Sequence, residues 1–219
     1  TDSQTGAVNA GGGNDTLNAT IDSGDASPVM MGIENVNLRF TDSDTVDLTS
    51  ATGVTNLKVG NSTDNGDVDG VGSTANLAVA NQLKNVDFRD STATTLGLNL
   101  DTLGNTTTPT QVTVDLNNQK ATTLNITANE AANARVTGSG ATKTLTVAAT
   151  GTNKLELSEG AAATSVTVTG KGSADLTGAA FTGALTTFDA SANEGGVKAD
   201  IQSSKAAVVT TGAGADTID

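Results

Sequence analysis

Three short segments, TLNIT at residues 123–127, TLTVA at 144–148 and SVTVT at 165–169, decide the fold of this chain. Each contains two aliphatic residues separated by one polar residue, and Leu124, Leu145 and Val166 follow one another at steps of 21 residues. Alternation with period two is typical of a β-strand that has one buried and one exposed face. A constant step of this size indicates a solenoid, in which successive coils stack the same strand.

The step continues on both sides of these segments. It predicts inward residues at Phe188 and Val208 downstream, and at the upstream pairs Val36/Leu38, Leu57/Val59 and Val86/Phe88. A second family of apolar pairs lies about half a period away, at Val46/Leu48, Val114/Leu116, Leu155/Leu157, Ala174/Leu176 and Ala199/Ile201. Two short strands per coil are therefore predicted.

Turn-forming clusters such as Thr137–Gly140 and Gly170–Gly172 separate the predicted strands. We predict an all-β chain whose residues 1–219 form one elongated parallel β-solenoid, of β-helix or β-roll type, with about 20–21 residues per coil. An antiparallel β-sandwich is the alternative. The step is lost between Gly60 and Leu116, and Thr106–Pro109 interrupts another coil, so irregular loops are predicted around residues 60–116.

The composition limits the partners of the chain. Its net charge of −13 disfavours nucleic acid and anionic membranes, which clusters of Lys and Arg bind, and favours calcium. The sequence contains no apolar run long enough to span a bilayer, so membrane insertion is not expected. It begins with Thr1 and shows no leader peptide, which indicates a segment of a larger protein.

The first candidate calcium site is the glycine-rich segment Ala10–Asn18, AGGGNDTLN. It matches the nonapeptide G-G-x-G-x-D-x-U-x at every defined position except the first, where Ala10 replaces glycine. The candidate ligands are Gly11, Gly13, Asn14 and Asp15. Glycines allow backbone carbonyls to converge, the aspartate adds a carboxylate, and the apolar eighth residue anchors the next strand.

The second candidate is Thr211–Asp219, TGAGADTID, in which Thr211 again replaces the first glycine. Its candidate ligands are Gly212, Gly214, Ala215 and Asp216. The alternative for both segments is an ordinary glycine-rich turn whose aspartate binds its own backbone.

With these two motifs at its ends, the chain resembles the RTX-type bacterial S-layer proteins. The resemblance implies calcium bound between motifs that stack one coil apart, export by type I secretion and folding outside the cell. It also implies assembly with copies of itself in a surface lattice. Cell-surface polysaccharide is a further expected partner, through other regions of the parent protein.

A third candidate lies in Asp64–Gly70, where Asn65, Asp67 and Asp69 occupy the first, third and fifth positions of an EF-type loop. Asn76 stands where that loop requires glutamate, and a solvated acidic loop is the alternative. A further acidic cluster, Asp42, Asp44 and Asp47, is expected on a charged outer face.

We do not expect an enzyme. Histidine and cysteine are absent, which removes the usual catalytic base and thiol nucleophile, and Trp and Tyr are absent as sugar-stacking residues. We expect a secreted, calcium-stabilised structural protein of a surface layer. The alternative is an RTX adhesin segment that binds a host, glycan or ice surface, since outward Thr residues form a ladder on the predicted strands.

Overall fold

The computed structural model describes residues 7–105, 110–138, 140–179 and 181–219. A 3-10 helix covers Ser158–Ala162. In chain order the strands are β1 (Ala7–Asn9), β2 (Thr16–Ile21), β3 (Val29–Met31), β4 (Asn35–Phe40), β5 (Asp44–Asp47), β6 (Ala51–Thr52), β7 (Asn56–Gly60), β8 (Gly66–Asp69), β9 (Asn76–Gln82), β10 (Val86–Arg89), β11 (Thr95–Leu103), β12 (Val112–Asn117), β13 (Thr123–Ala131), β14 (Ala134–Gly138), β15 (Thr144–Thr150), β16 (Thr152–Leu157), β17 (Ser165–Gly170), β18 (Ser173–Leu176), β19 (Thr187–Asn193), β20 (Val197–Ala199), β21 (Val208–Thr210) and β22 (Thr217–Ile218).

These strands form a parallel β-solenoid of about ten coils, as predicted. Ten strands form sheet I, in the order β2-β4-β7-β9-β11-β13-β15-β17-β19-β21. Nine form sheet II, in the order β5-β8-β10-β12-β14-β16-β18-β20-β22, and β1, β3 and β6 form sheet III. Neighbouring strands in each sheet run parallel and come from successive coils, which excludes an antiparallel sandwich.

The repeated segments stack in the predicted register. Leu124 pairs with Leu145, and Leu145 pairs with Val166. Ile126 and Val147 form the same kind of column two residues further along the strand, and these side chains are at most 1% exposed. Each fully buried aliphatic side chain stabilises the fold by roughly 1.5–3 kcal/mol, so a narrow coil builds its core from many moderate contributions.

Two of the predicted assignments are wrong. Val86 and Phe88 lie on β10 and therefore in sheet II, because the 20–21 residue step in sheet I runs through β9 and β11 instead. At the C-terminal end Val209, not Val208, pairs with Phe188, and Val208 is 67% exposed. Both errors arise because an apolar-x-apolar pattern does not specify which sheet, or which of two adjacent residues, faces inward.

The described part of residues 60–116 contains β8 to β12 in regular register, so strands occupy most of the range in which the sequence predicted irregular loops. The extra length is confined to one coil, in which Leu98 pairs with Ile126, 28 residues later. Val86 likewise pairs with Val114, also 28 residues later. Both steps span the turn between β11 and β12, so the insertion lies there. The predicted interruption at Thr106–Pro109 falls outside the described residues.

The four phenylalanines complete the core, and each is at most 1% exposed. Phe181 and Phe188 pack edge to face with ring centroids 5.9 Å apart. Phe40 lies against Gly66 of the next coil, where any side chain would collide with its ring.

Among the described residues no helix has the length and apolarity needed to cross a membrane.

Candidate calcium-binding turns

The N-terminal motif forms the turn between β1 and β2, where the chain enters sheet I. Gly11 and Gly13 have φ angles of +85° and +141°, a backbone conformation that side chains strongly disfavour. Gly32 of the next coil stacks on this turn so closely that a Cβ atom on it would lie 2.5 Å from the Gly11 carbonyl oxygen. The glycines therefore allow two turns from successive coils to pack backbone against backbone.

The Glu34 carboxylate of the next coil binds the backbone of Asp15 at these two stacked turns. The Asp15 amide donates a hydrogen bond of 2.8 Å to Oε2 of Glu34. The Oδ2 atom of Asp15 is buried and has no hydrogen-bond partner. A buried carboxylate oxygen without a donor carries a desolvation penalty that a bound cation would remove. Asp15 and Glu34 therefore fit a calcium ligand pair, and Glu34 was not among the predicted ligands, although it follows Asp15 by 19 residues, about one coil.

Asn14 has a different role in the structure from Asp15. Its Oδ1 atom accepts a hydrogen bond of 2.8 Å from Asn35, the Oδ1 of Asn35 accepts one of 2.8 Å from Asn56, and that of Asn56 accepts one of 3.0 Å from Asn76. These four residues form an amide ladder across four coils. Asn14 is thus engaged as the first member of the ladder.

We expect replacement of Asn56 by alanine to lower the free energy of unfolding by about 1 kcal/mol, because it removes both inter-amide hydrogen bonds of a residue inside this solvated ladder. Replacement of Asn76, at its end, removes the inter-amide bond on one side only and should cost less. Urea unfolding of both variants measures the difference. Equal losses of unfolding free energy in the two variants would contradict a stabilising role for the bond between Asn35 and Asn56.

The C-terminal motif forms the turn between β21 and β22, where the chain enters sheet II. It therefore occupies a different corner of the coil from the N-terminal motif. Gly214 lies on Gly196 of the preceding coil, and a Cβ on Gly196 would lie 2.8 Å from the Ala215 carbonyl oxygen. A Cβ on Gly212 would collide with the carbonyl oxygen of Asn193.

The Asp216 carboxylate already has one protein partner. Its Oδ1 accepts a hydrogen bond of 2.8 Å from the amide of Val197 in the preceding coil. Links between coils of opposite polarity recur at this corner, since Asp25 and Asn65 accept hydrogen bonds from the amides of Thr45 and Asn85 in the following coil, both at 2.9 Å. Asp216 thus ties two coils together, and one of its carboxylate oxygens has a structural role.

The third candidate does not form a loop. Asn65 lies in a turn, but Asp67 and Asp69 lie on β8 with their side chains outward. Arg89 of the next coil binds both, at 2.8 Å and 3.0 Å, and also binds Asp87 at 2.8 Å. An EF-type arrangement is therefore absent at these residues, and calcium would have to compete with a guanidinium group there.

Burial governs the pKa of Asp87 within this cluster. Desolvation is the largest influence and raises the pKa, hydrogen bonds from Asn117 and Arg89 lower it, and the nearby Asp115 raises it further. The surrounding carboxylates raise the pKa of Arg89 against its own desolvation, so its charge is permanent. Arg89 is thus the counter-ion of an acidic column on sheet II.

Asp25 and Asp44 form a further pair of acidic residues in successive coils. The sequence predicted only a charged outer face for the cluster that contains Asp44. Asp44 accepts a hydrogen bond of 3.0 Å from the Gly24 amide, while Asp25 of that preceding coil accepts from Thr45. The Oδ2 atom of Asp44 is buried without a hydrogen-bond partner, like that of Asp15. The signal in the sequence was the spacing of Asp25 and Asp44, which is close to one coil.

Acidic residues are concentrated on one side of the solenoid. The acidic flank is defined as the sheet II strands together with the turns that lead to them from sheet I, including the equivalent turn at residues 22–25 after β2. The flank holds 14 of the 24 acidic and 6 of the 11 basic residues, a net charge of −8. The sheet I strands hold three acidic and two basic residues. The fold thus separates an acidic side from a nearly neutral one.

Within the described part of the chain, no three Asp or Glu side chains form a group that could hold a metal ion. Any cation site at these turns would combine one or two carboxylates with backbone carbonyl oxygens.

Comparison of the chain with protein-family models, curated proteins and solved structures finds no match.

Proposed function

We propose that this chain is a structural segment of a secreted bacterial surface-layer protein, a rigid solenoid that calcium stabilises and that assembles with copies of itself. The observation that carries the proposal is the pair of glycine-rich turns stacked at Asp15 and Glu34, with a buried carboxylate oxygen that lacks a donor. The acidic flank and the resemblance of both end motifs to RTX nonapeptides support it. No catalytic role is proposed.

Calcium would supply two positive charges at turns where a carboxylate of one coil binds the backbone of its neighbour. Asp15 and Glu34 would hold it at the N-terminal turn, with carbonyl oxygens of the Gly11–Gly13 backbone. At the C-terminal turn Asp216 would contribute the carboxylate oxygen that does not bind Val197. Because the acidic chain repels itself on compaction, a cation that binds only the folded state stabilises that state.

We expect the thermal midpoint of unfolding to rise with calcium in the millimolar range, since extracellular calcium modules have Kd values of about 10⁻⁴–10⁻³ M. One site stabilises the fold by about 1.4 kcal/mol when free calcium is tenfold above its Kd. Asp15→Asn should remove much of this increase. Magnesium should substitute poorly because it retains its hydration waters.

The matched control is Asp175→Asn, which removes a carboxylate from a sheet II strand where its strand neighbours are Lys154 and Lys198. This variant should keep the full response to calcium. Circular dichroism and calorimetry measure the midpoint and the bound ion. A midpoint indifferent to millimolar calcium would refute the calcium mechanism, and a response equal in both variants would refute the assignment to Asp15.

A further inference from the structure

The amide ladder on the outer face of sheet I is interrupted at β11. It runs from Asn14 to Asn76, and in the next coil the same position in register is held by Gly97, which has no side chain. One coil further, Asn125 pairs with Gly97 and restores a carboxamide to the row. Gly97 therefore marks a missing rung between two asparagines.

The missing side chain leaves a notch in the sheet. The Gly97 notch is defined as the space above Gly97 that Asn76 and Asn125 bound along the solenoid axis and that Thr95 and Asn99 bound along β11. Its cavity volume is about 420 Å³. Among the described residues that line it, none carries a charge. The notch thus has the size and the lining to hold a small neutral group.

Hydrogen-bonding groups on both sides of the notch are available to a ligand. Nδ2 of Asn76 donates to Oδ1 of Asn56 at 3.0 Å, whereas Oδ1 of Asn76 accepts from no described residue. That oxygen borders the notch, since a Cβ on Gly97 would lie 3.3 Å from it. Hydrogen bonds in a chain polarise one another, so the ladder strengthens Asn76 Oδ1 as an acceptor. The side chain of Asn125 likewise has no hydrogen-bond partner in the described part of the chain.

We propose that the Gly97 notch binds a primary carboxamide, the side chain of an Asn or Gln residue on a partner polypeptide. The row itself shows what fits, because the coils on both sides place a carboxamide at this position. The guest amide donates its N–H to Asn76 Oδ1 and accepts at its carbonyl oxygen from Asn125 Nδ2. Every rung of the ladder has this polarity. Neighbouring coils lie about 4.8 Å apart, so the guest completes a regular amide ladder.

The lining of the notch disfavours other ligands. A carboxylate only accepts hydrogen bonds and cannot satisfy Asn76 Oδ1, and an ammonium group finds no carboxylate in the lining. A sugar ring has no aromatic surface to stack on, because all four phenylalanines are at most 1% exposed and the chain contains no Trp or Tyr. Water hydrates the exposed groups of the free notch, so the favoured ligand is one that reproduces both hydrogen bonds.

The test is an NMR titration of the folded chain with propionamide, which carries the carboxamide of an Asn side chain. We expect the side-chain amide signals of Asn76 and Asn125 to shift saturably, with a dissociation constant on the order of 10 mM for so small a ligand. Propionate should bind at least about tenfold more weakly, because it has no N–H to donate. The absence of a saturable shift, or an equal response to propionate, would overturn the proposal. Tighter binding of N-acetylglucosamine than of propionamide would overturn the polypeptide as the partner.

Three variants test the position of the ligand. Gly97→Asn fills the notch with a carboxamide of the chain itself, so propionamide binding should be lost. Asn125→Ala removes one of the two bonds to the ligand and should weaken binding at least about threefold. The control Asn37→Ala removes an amide on β4 that donates to Asn18, and it should leave binding unchanged. Circular dichroism verifies the fold of each variant. Binding that survives Gly97→Asn would overturn the assignment to the notch.

The stability of the chain gives a second readout that needs no ligand. Gly97 is not among the glycines with positive φ, so its backbone accepts a side chain. Gly97→Asn and Gly97→Ala both add a Cβ to the strand, but only Asn connects Asn76 to Asn125. These residues are not among the proposed calcium ligands, so the outcome leaves the proposed function untouched. The urea midpoint of Gly97→Asn should exceed that of Gly97→Ala, and equal midpoints would show that the notch does not hold a carboxamide in ladder geometry.

Discussion

Replacement of Asn193 by alanine is expected to lower the free energy of unfolding by at least about 3 kcal/mol, the largest single effect predicted for this chain. Asn193 is 1% exposed and lies at the end of β19. Its Nδ2 donates to the Gly172 carbonyl oxygen at 3.0 Å, and its Oδ1 accepts from the Gly195 and Gly196 amides at 3.1 Å and 2.9 Å. Alanine would leave these backbone groups without partners where water does not reach them.

The matched control is Asn125→Ala, in the same sheet but exposed on its outer face, where the loss should stay within about 0.5 kcal/mol. Urea unfolding of both variants measures the difference. Similar losses would show that the buried amide network contributes little. A change in the slope of the unfolding transition would indicate that the C-terminal coils unfold separately.

Arg89→Met is expected to lower the free energy of unfolding by about 2 kcal/mol at pH 7, a value between those of exposed and buried ion pairs because the Arg89 side chain is 36% exposed. The variant leaves Asp67, Asp69 and Asp87 close together without a cation. Asp87 is the most buried of the three, with 15% of its side chain exposed, and should dominate the loss.

The loss should depend on pH with a defined sign. The pKa of Asp87 is already raised by burial, and removal of Arg89 eliminates an influence that lowers it, so its pKa rises further. A carboxyl group with a pKa above its unfolded value of about 3.9 destabilises the fold above the raised pKa. That cost disappears as the pH falls through the raised pKa, so the deficit should shrink between pH 7 and about pH 4.

Arg39→Met provides the control for this pH dependence. Arg39 donates to the Asn61 carbonyl oxygen, so its removal uncovers no carboxylate cluster. Its small deficit should stay constant over the same range of pH. Unfolding in urea at several pH values compares the two variants. A deficit for Arg89→Met that does not change with pH would show that the residue acts through packing of its aliphatic stem.

The sequence predicted the fold from Leu124, Leu145 and Val166 because a buried column needs the same kind of side chain at the same step in every coil. It failed at Val86 and Phe88 because the apolar-x-apolar pattern is identical in both sheets. Only the pairing of β10 with β12 shows that these two residues belong to sheet II.

The candidate site was predicted less completely than the fold. The nonapeptide motif is local in the sequence, so it located the glycine-rich turn that contains Asp15, while calcium binding there stays a prediction. Glu34 and the Arg89 cluster were missed because their partners lie about one coil away, where neither motif nor composition indicates a contact. Asp67 and Asp69 were misread as a loop because acidic residues at alternate positions suit a loop ligand set and the outer face of a strand equally well.

The 28-residue coil shows how the scaffold accommodates foreign sequence. Both sheets keep their pairing across it, with Leu98 opposite Ile126 and Val86 opposite Val114, so the extra residues at the turn between β11 and β12 do not disturb the columns on either side. An epitope tag or a small folded domain grafted at this turn should therefore be displayed at a fixed height along the rod. In an ordered array of copies, such grafts would be spaced by the array itself, which makes this turn the natural point of attachment for engineered cargo.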